Sequence, residues 1–142
     1  MTRFDLGTAD AVMRACVLSH GTVAALLGTH VYRGLAPQGL GTDLYVVYKH
    51  DTDLPGNDTQ RDAEHVVYEF KIVGPTMARI QTVASWLNES IKDKLTSLDM
   101  PDWSCYWARR IWQYEYRDPV AGSPVYQITQ RYSIMWSGSA IS

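Results

Sequence analysis

Cysteine is scarce in this chain: Cys16 and Cys105 are the only two. A disulfide framework in a small secreted domain normally uses more. The pair therefore reads as two buried thiols acting as small hydrophobes. Long apolar runs are also missing. None approaches the roughly 20 residues needed to cross a bilayer, and Met1-Thr2-Arg3-Phe4-Asp5 has no apolar signal core. The expectation is a cytosol-like compartment and no membrane partner. Excess positive charge is absent as well. The 13 Lys and Arg face 15 Asp and Glu, giving a formal charge of −2. A general nucleic-acid binder announces itself by a basic balance, which this composition lacks.

What is present is a core-forming composition. Apolar residues make up 46% and charged residues 20% of 142 residues. That length fits one domain, here residues 1–142, and a chain of this size buries about two-thirds of its unfolded surface. Aromatics crowd the C-terminal half, where Trp86, Trp103, Trp107, Trp112 and Trp136 lie with Tyr106, Tyr114, Tyr116, Tyr126 and Tyr132. Aromatic side chains pack well on a pleated surface, so that half reads as sheet.

Along the chain, Thr8 is a candidate N-cap. Ala11, Val12, Ala15, Cys16 and Leu18 follow at helical spacing. Ser19-His20-Gly21 reads as the stop, with Gly21 at a left-handed cap. Thr22 then caps a short turn over Val23 to Leu27, which Gly28 ends. Val31 to Arg33 is a short extended piece. The stretch from Gly34 to Gly41 holds Pro37 and reads as loop.

Leu44 to His50 and His65 to Val73 are strand candidates. In the second, Val66, Tyr68, Phe70 and Ile72 share one face, opposite His65, Glu69 and Lys71. Between the two strands, Asp51 to Glu64 holds five carboxylates, one Arg and a Pro55-Gly56-Asn57 turn. It reads as a solvated, mobile acidic loop. Gly74-Pro75-Thr76 breaks the strand. Met77, Ile80, Val83, Ala84, Leu87, Ile91 and Leu95 then form an unbroken helical stripe. Trp103 to Tyr116 and Val125 to Trp136 are two long strands around a hairpin-type loop, and residues 137–142 form a frayed tail. The fold class is α+β. The expected architecture is a mixed, mostly antiparallel sheet of about four to five strands, with one long and one or two short helices packed on it.

Catalytic and metal motifs are not readable. No pair among His20, His30, His50 and His65 has the i,i+4 spacing of a helical zinc site. His50 and His65 could face each other across a strand pair. Two solvent-facing histidines are the plainer reading. Asp51, Asp53, Asn57 and Asp58 imitate a calcium loop, but Pro55 takes the fifth place and Asp62 the twelfth, where that loop needs Glu. No nucleophile elbow and no phosphate-binding Gly-Lys sequence is present. Arg109-Arg110 sits among aromatics, a pattern that can stack on bases. It equally fits sheet aromatics covered by Arg stems. The expectation is no catalytic residue, no metal and no cofactor.

Three stretches carry a resemblance. They are Asp10-Ala-Val-Met-Arg-Ala-Cys-Val-Leu running to Val23-Ala-Ala-Leu-Leu-Gly-Thr-His-Val-Tyr, Ala36-Pro-Gln-Gly running into Leu44-Tyr-Val-Val-Tyr, and the His65 to Val73 strand feeding the Ile80 to Ile91 helix. Over residues 8–137 the chain resembles the tail-completion, or tail-terminator, family of long-tailed bacteriophages. The resemblance implies a structural virion protein without catalysis, in the tail or neck of the particle and in host cytoplasm during assembly. It implies a ring, six-fold in that family, on the head-proximal end of the tail tube. The implied partners are other copies of the chain, the tail tube protein and the head–tail connector or stopper protein. Genomic DNA would pass through without sequence-specific binding. A ring needs two complementary patches per subunit. Asp51, Asp53, Asp58, Arg61, Asp62 and Glu64 are the candidate inter-subunit or tube/connector contact, with a channel-lining placement as the other option. Another neck or tube component of similar shape, or a small-ligand module or hydrolase, stays open at this point.

Overall fold

The computed structural model describes residues 4–35, 44–51, 63–93, 98–101, 103–118 and 125–138. These form three helices and five strands: α1 (Leu6–Leu18), α2 (Gly21–Leu27), β1 (Val31–Arg33), β2 (Tyr45–Asp51), β3 (Ala63–Gly74), α3 (Met77–Asp93), β4 (Trp103–Asp118) and β5 (Val125–Gly138). The strands make one sheet in the order β1-β2-β3-β5-β4. Only β1 and β2 pair in parallel; β2–β3, β3–β5 and β4–β5 are antiparallel. The α+β expectation holds.

Helix starts were the least legible feature. Asp5, not Thr8, caps α1: its carboxylate accepts from the Gly7 and Thr8 N–H groups at 3.3 and 3.2 Å. It also accepts from the Thr8 hydroxyl at 2.7 Å. These bonds hold the Asp5 carboxyl below the usual carboxylate range, the Thr8 hydroxyl contributing most. The expected stop also shifts. Ser19 caps the end of α1 in right-handed geometry, and Gly21 opens α2 with His20, not Thr22, at its N-cap. Gly28 does end α2, at φ 60°, where a side chain would be strained.

The strands run longer than their patterns suggest. Asp51 is the last residue of β2, paired with Val67, and β3 already begins at Ala63. Glu64 therefore belongs to a strand, opposite Trp136, rather than to a loop. Ser137 and Gly138 likewise continue β5 opposite Ser104 and Trp103 instead of fraying. Of the C-terminal aromatics, Trp86 is the exception to the sheet reading and lies on α3.

Burial divides the sheet into two faces. Val66, Tyr68, Phe70 and Ile72 of β3 are buried beside Ile128, Tyr132, Ile134 and Trp136 of β5. Val46 and Tyr48 continue this face into β2. The helices lie on it. Ile80, Val83, Ala84, Leu87 and Ile91 of α3 are buried as the stripe predicts. From α1 come Ala9, Met13, Cys16 and Val17. Cys16 ties α1 to α3: its carbonyl accepts from the Ser90 hydroxyl at 2.8 Å. The Trp136 indole donates to the Leu98 carbonyl at 2.8 Å, so its polar edge is satisfied inside the core. Gly74 sits where β3 turns toward α3. A Cβ there would lie 2.7 Å from Ile80 Cγ2 and 2.9 Å from Leu44 Cδ1, so only glycine fits.

Candidate assembly surface

The other face of the sheet has no helix on it among the described residues. Register places Val47 and Lys49 of β2 there, opposite Lys71 and Glu69 of β3. Thr129, Arg131 and Ser133 of β5 follow, then Trp107, Arg109, Trp112 and Tyr114 of β4. Glu69 accepts from Arg131 at 3.2 Å. The Arg131 guanidinium also lies over the Trp112 ring, 5.2 Å from its centroid, and Arg109 lies over Trp107 at 5.1 Å. Trp112 and Tyr114 stack nearly parallel, with centroids 6.0 Å apart. Arg109 thus covers a sheet aromatic, as the plainer reading of Arg109-Arg110 has it, whereas Arg110 lies on the helix side and donates to Gln113 at 2.8 Å. Trp112 remains 45% exposed and Tyr114 54%, beside Ile111 at 48%. Large rings held rigid and half in water are the residue types enriched in protein interfaces.

These rings sit on an edge strand. In the sheet β4 pairs with β5 alone; the start of its outer edge is met by Met100, which exchanges backbone hydrogen bonds with Trp103, and by Asp99, which accepts from the Cys105 N–H, and beyond these no described strand covers it. The ladder breaks between Cys105 and Trp107 and again between Arg110 and Trp112, and is regular from there to Asp118. Such bulges twist an edge and blunt it; the regular stretch beyond them is not blunted. The opposite edge, β1, is three residues long and offers little.

On the helix side of β4 lies a polar groove of about 250 Å³ between Gln81, Ser85 and Asn88 of α3 and Arg110, Gln113 and Glu115 of β4. Its floor is wired. Gln130, fully buried, donates to the Ala84 carbonyl at 3.2 Å and to Gln113 at 2.9 Å, and accepts from the Tyr132 hydroxyl at 2.9 Å. These bonds fix β4 against α3 and hold the edge rigid.

Sequence reasoning missed a buried charge centre. Asp10 on α1 is 3% exposed. Its Oδ1 accepts from the Tyr68 hydroxyl at 2.9 Å and lies 3.1 Å from His50 Nδ1; its Oδ2 pairs with Arg33 Nε. Its carbonyl accepts from the Tyr48 hydroxyl at 3.2 Å. One aspartate thus joins α1 to β1, β2 and β3. Burial, then the neighbouring Asp10 charge, pushes the Tyr68 phenol far above its ordinary range. Each partner is satisfied, and the arrangement is a structural clasp. The available signal was a lone Asp within an apolar helix, with tyrosines at the inward positions of two strands.

His50 and His65 do not face each other, and neither is freely solvent-facing as the plainer reading expects, since both are partly buried. His50 opposes Tyr68 on the helix face, whereas His65 is on the bare face, hydrogen-bonded to Ser133 and packed on Trp107. Of the acidic candidates, the backbone of Asp51 and the residue Glu64 are placed as described above. Burial raises the Glu64 carboxyl. Asp53, Asp58, Arg61 and Asp62 lie outside the described residues. No cluster of three or more His, Cys, Asp or Glu able to hold a metal ion occurs among the described residues.

No protein-family model matches the sequence, and no curated protein does. Among solved structures the chain is similar to one from the virion of a native gene transfer agent particle, with a TM-score of 0.69 at 15% identity, covering 90% of this chain and 93% of that one. At that identity the likeness establishes a shared fold, which spans nearly the whole length of both chains.

Proposed function

We propose that this chain is a structural virion protein of a tailed phage or phage-like particle. It forms a closed ring, of six copies, on the head-proximal end of the tail tube. There it ends tube growth and presents a surface to the head connector. DNA passes through the ring without being read. The observation that carries this reading is the rigid, half-exposed Trp112–Tyr114 stack on a long open edge strand, an arrangement suited to packing against a neighbouring subunit. The shared fold with a chain of a virion particle supports it. Asp51, Asp53, Asp58, Arg61, Asp62 and Glu64 are proposed as contact residues, to a neighbouring subunit or to the tube or connector.

The test is removal of the gene from the producing genome. Particles should then show tails without heads and tails of irregular length. Normal tails joined to full heads would sink the reading.

A further inference from the structure

The bare sheet face is basic although the chain as a whole is not. Lys49 of β2, Lys71 of β3, Arg131 of β5 and Arg109 of β4 are exposed on it. Glu69 also lies there and pairs with Arg131, and register puts the Asp51 position on the same side. Four cations thus stand against two carboxylates, in a chain whose formal charge is −2. Among the described residues, Lys49, Lys71 and Arg109 enter no ion pair. Register also spreads the cations. Lys49, Glu69, Arg131 and Trp112 form one row across the four strands, with Lys71 in the next row and Arg109 in the row before. At roughly 4.8 Å per strand step, Lys49 and Arg109 stand about 14 Å apart across the sheet.

A partner fitted to this face must be anionic. Lysine is depleted at protein interfaces, whereas it serves readily as a point charge for phosphate. The aromatic rings offer unpaired bases little room to stack. Trp112 is engaged by Arg131 and Tyr114, and Trp107 by Arg109 and His65. We propose that the bare face binds the phosphate backbone of a DNA duplex without reading its sequence. Lysine and arginine gathered on one face are the footprint of such binding, and here the strand order gathers them despite the acidic balance of the chain. A duplex carries one charge per about 1.7 Å of axis, so about eight phosphates fall within the 14 Å that the cations span. Contacts of this kind weaken with salt and let the protein slide along the duplex. The inference stands on the charge of the face and not on the ring reading. Within a ring it turns this face toward the passing duplex and leaves the Trp112–Tyr114 stack, at the β4 rim, to the neighbouring subunit.

The experiment is fluorescence anisotropy of a labelled DNA duplex, titrated with the natural full-length chain at several salt concentrations. Four phosphate contacts per chain give a slope of about −3.6 in log K against log salt, at roughly −0.9 per contact. Affinity should therefore fall roughly a hundredfold between about 50 and 200 mM salt, equally for duplexes of unrelated sequence. Lys49→Gln, Lys71→Gln and Arg109→Gln should each reduce the slope by about one. The three combined should weaken binding roughly tenfold or more at the low salt. Arg79→Gln, exposed on α3 at the helix side, should leave binding unchanged. Urea midpoints matching that of the natural chain confirm that the variants are folded. No binding at the low salt, or binding that the triple variant keeps, overturns the proposal. So does a single strand bound more tightly than the duplex, which means stacking on bases. Binding of polyglutamate with the duplex ignored, lost in the triple variant, assigns the face to an acidic protein surface and also overturns it. A chain that binds duplex as stated yet never assembles keeps this inference and removes the ring; a ring that ignores duplex does the reverse.

Discussion

The Asp10 carboxylate on α1 accepts a hydrogen bond from the Tyr68 hydroxyl on β3, at 2.9 Å, with both residues buried. The bond fixes the first helix to the centre of the sheet. Losing a partner from a buried hydrogen bond costs about 1–3 kcal/mol, so Tyr68→Phe should destabilise by that amount. Asp10→Ala removes every side-chain contact of the clasp and should cost more, roughly 3–5 kcal/mol. The low end is expected, because the Arg33 side chain is 58% exposed and can return to water. Urea unfolding of both variants checks this. An Asp10→Ala loss smaller than that of Tyr68→Phe would mean that the clasp does not hold the helix.

The α3 stripe gives a second expectation. Leu87 is fully buried between helix and sheet. Leu87→Ala should cost roughly 2–5 kcal/mol by lost burial and the cavity left behind. A change within about 0.5 kcal/mol, the range of ordinary surface substitutions, would show that the helix is rotated.

These two tests draw on features of unequal legibility. The α3 face could be read directly, because six apolar residues from Met77 to Ile91 repeat at the helical period and no competing pattern interrupts them; the seventh of the stripe, Leu95, lies outside the described residues. The clasp could not, because Asp10, Arg33, His50 and Tyr68 meet only through the tertiary fold, far apart in sequence. Helix starts were misplaced for a local reason: Asp5 and Thr8 are both good caps, and the Thr8 hydroxyl is occupied by the Asp5 carboxylate. The acidic stretch appeared to run unbroken from Asp51 to Glu64. Pairing across the sheet, which a single strand's pattern does not reveal, claims both of its ends. The bare face was half legible. Its aromatics and arginines were evident in the sequence, but the strand order that brings Lys49, Lys71, Arg109 and Arg131 together was not.

Burial lowers the His65 imidazole below its ordinary value of 6.5. A histidine held neutral in the fold takes up protons more readily when unfolded. Its contribution is therefore present above pH 6.5 and is lost as pH falls through the lower, folded value. Glu64 acts in the opposite sense, since its raised carboxyl favours the fold at lower pH. Thermal unfolding at pH 7 and at pH 5 should show a drop that is smaller in His65→Gln than in the natural chain. An unchanged drop would remove His65 as its source.

Cys105 is buried, and burial, with the Asp99 carboxylate, pushes its thiol up to about 12. Cys16 is buried on the inner side of α1. Thiolate is the reactive form, so both should react with a disulfide reagent at least a hundredfold more slowly in the native protein than in denaturant. Rapid native labelling of either would contradict the packing of the helix layer.

The central claim is assembly into a closed ring, and native mass spectrometry over a concentration series, alone and with purified tail tubes, tests it most directly. The account predicts a species of six copies, formed in solution or bound to one end of the tube. A chain that stays monomeric in solution and ignores the tubes would contradict it.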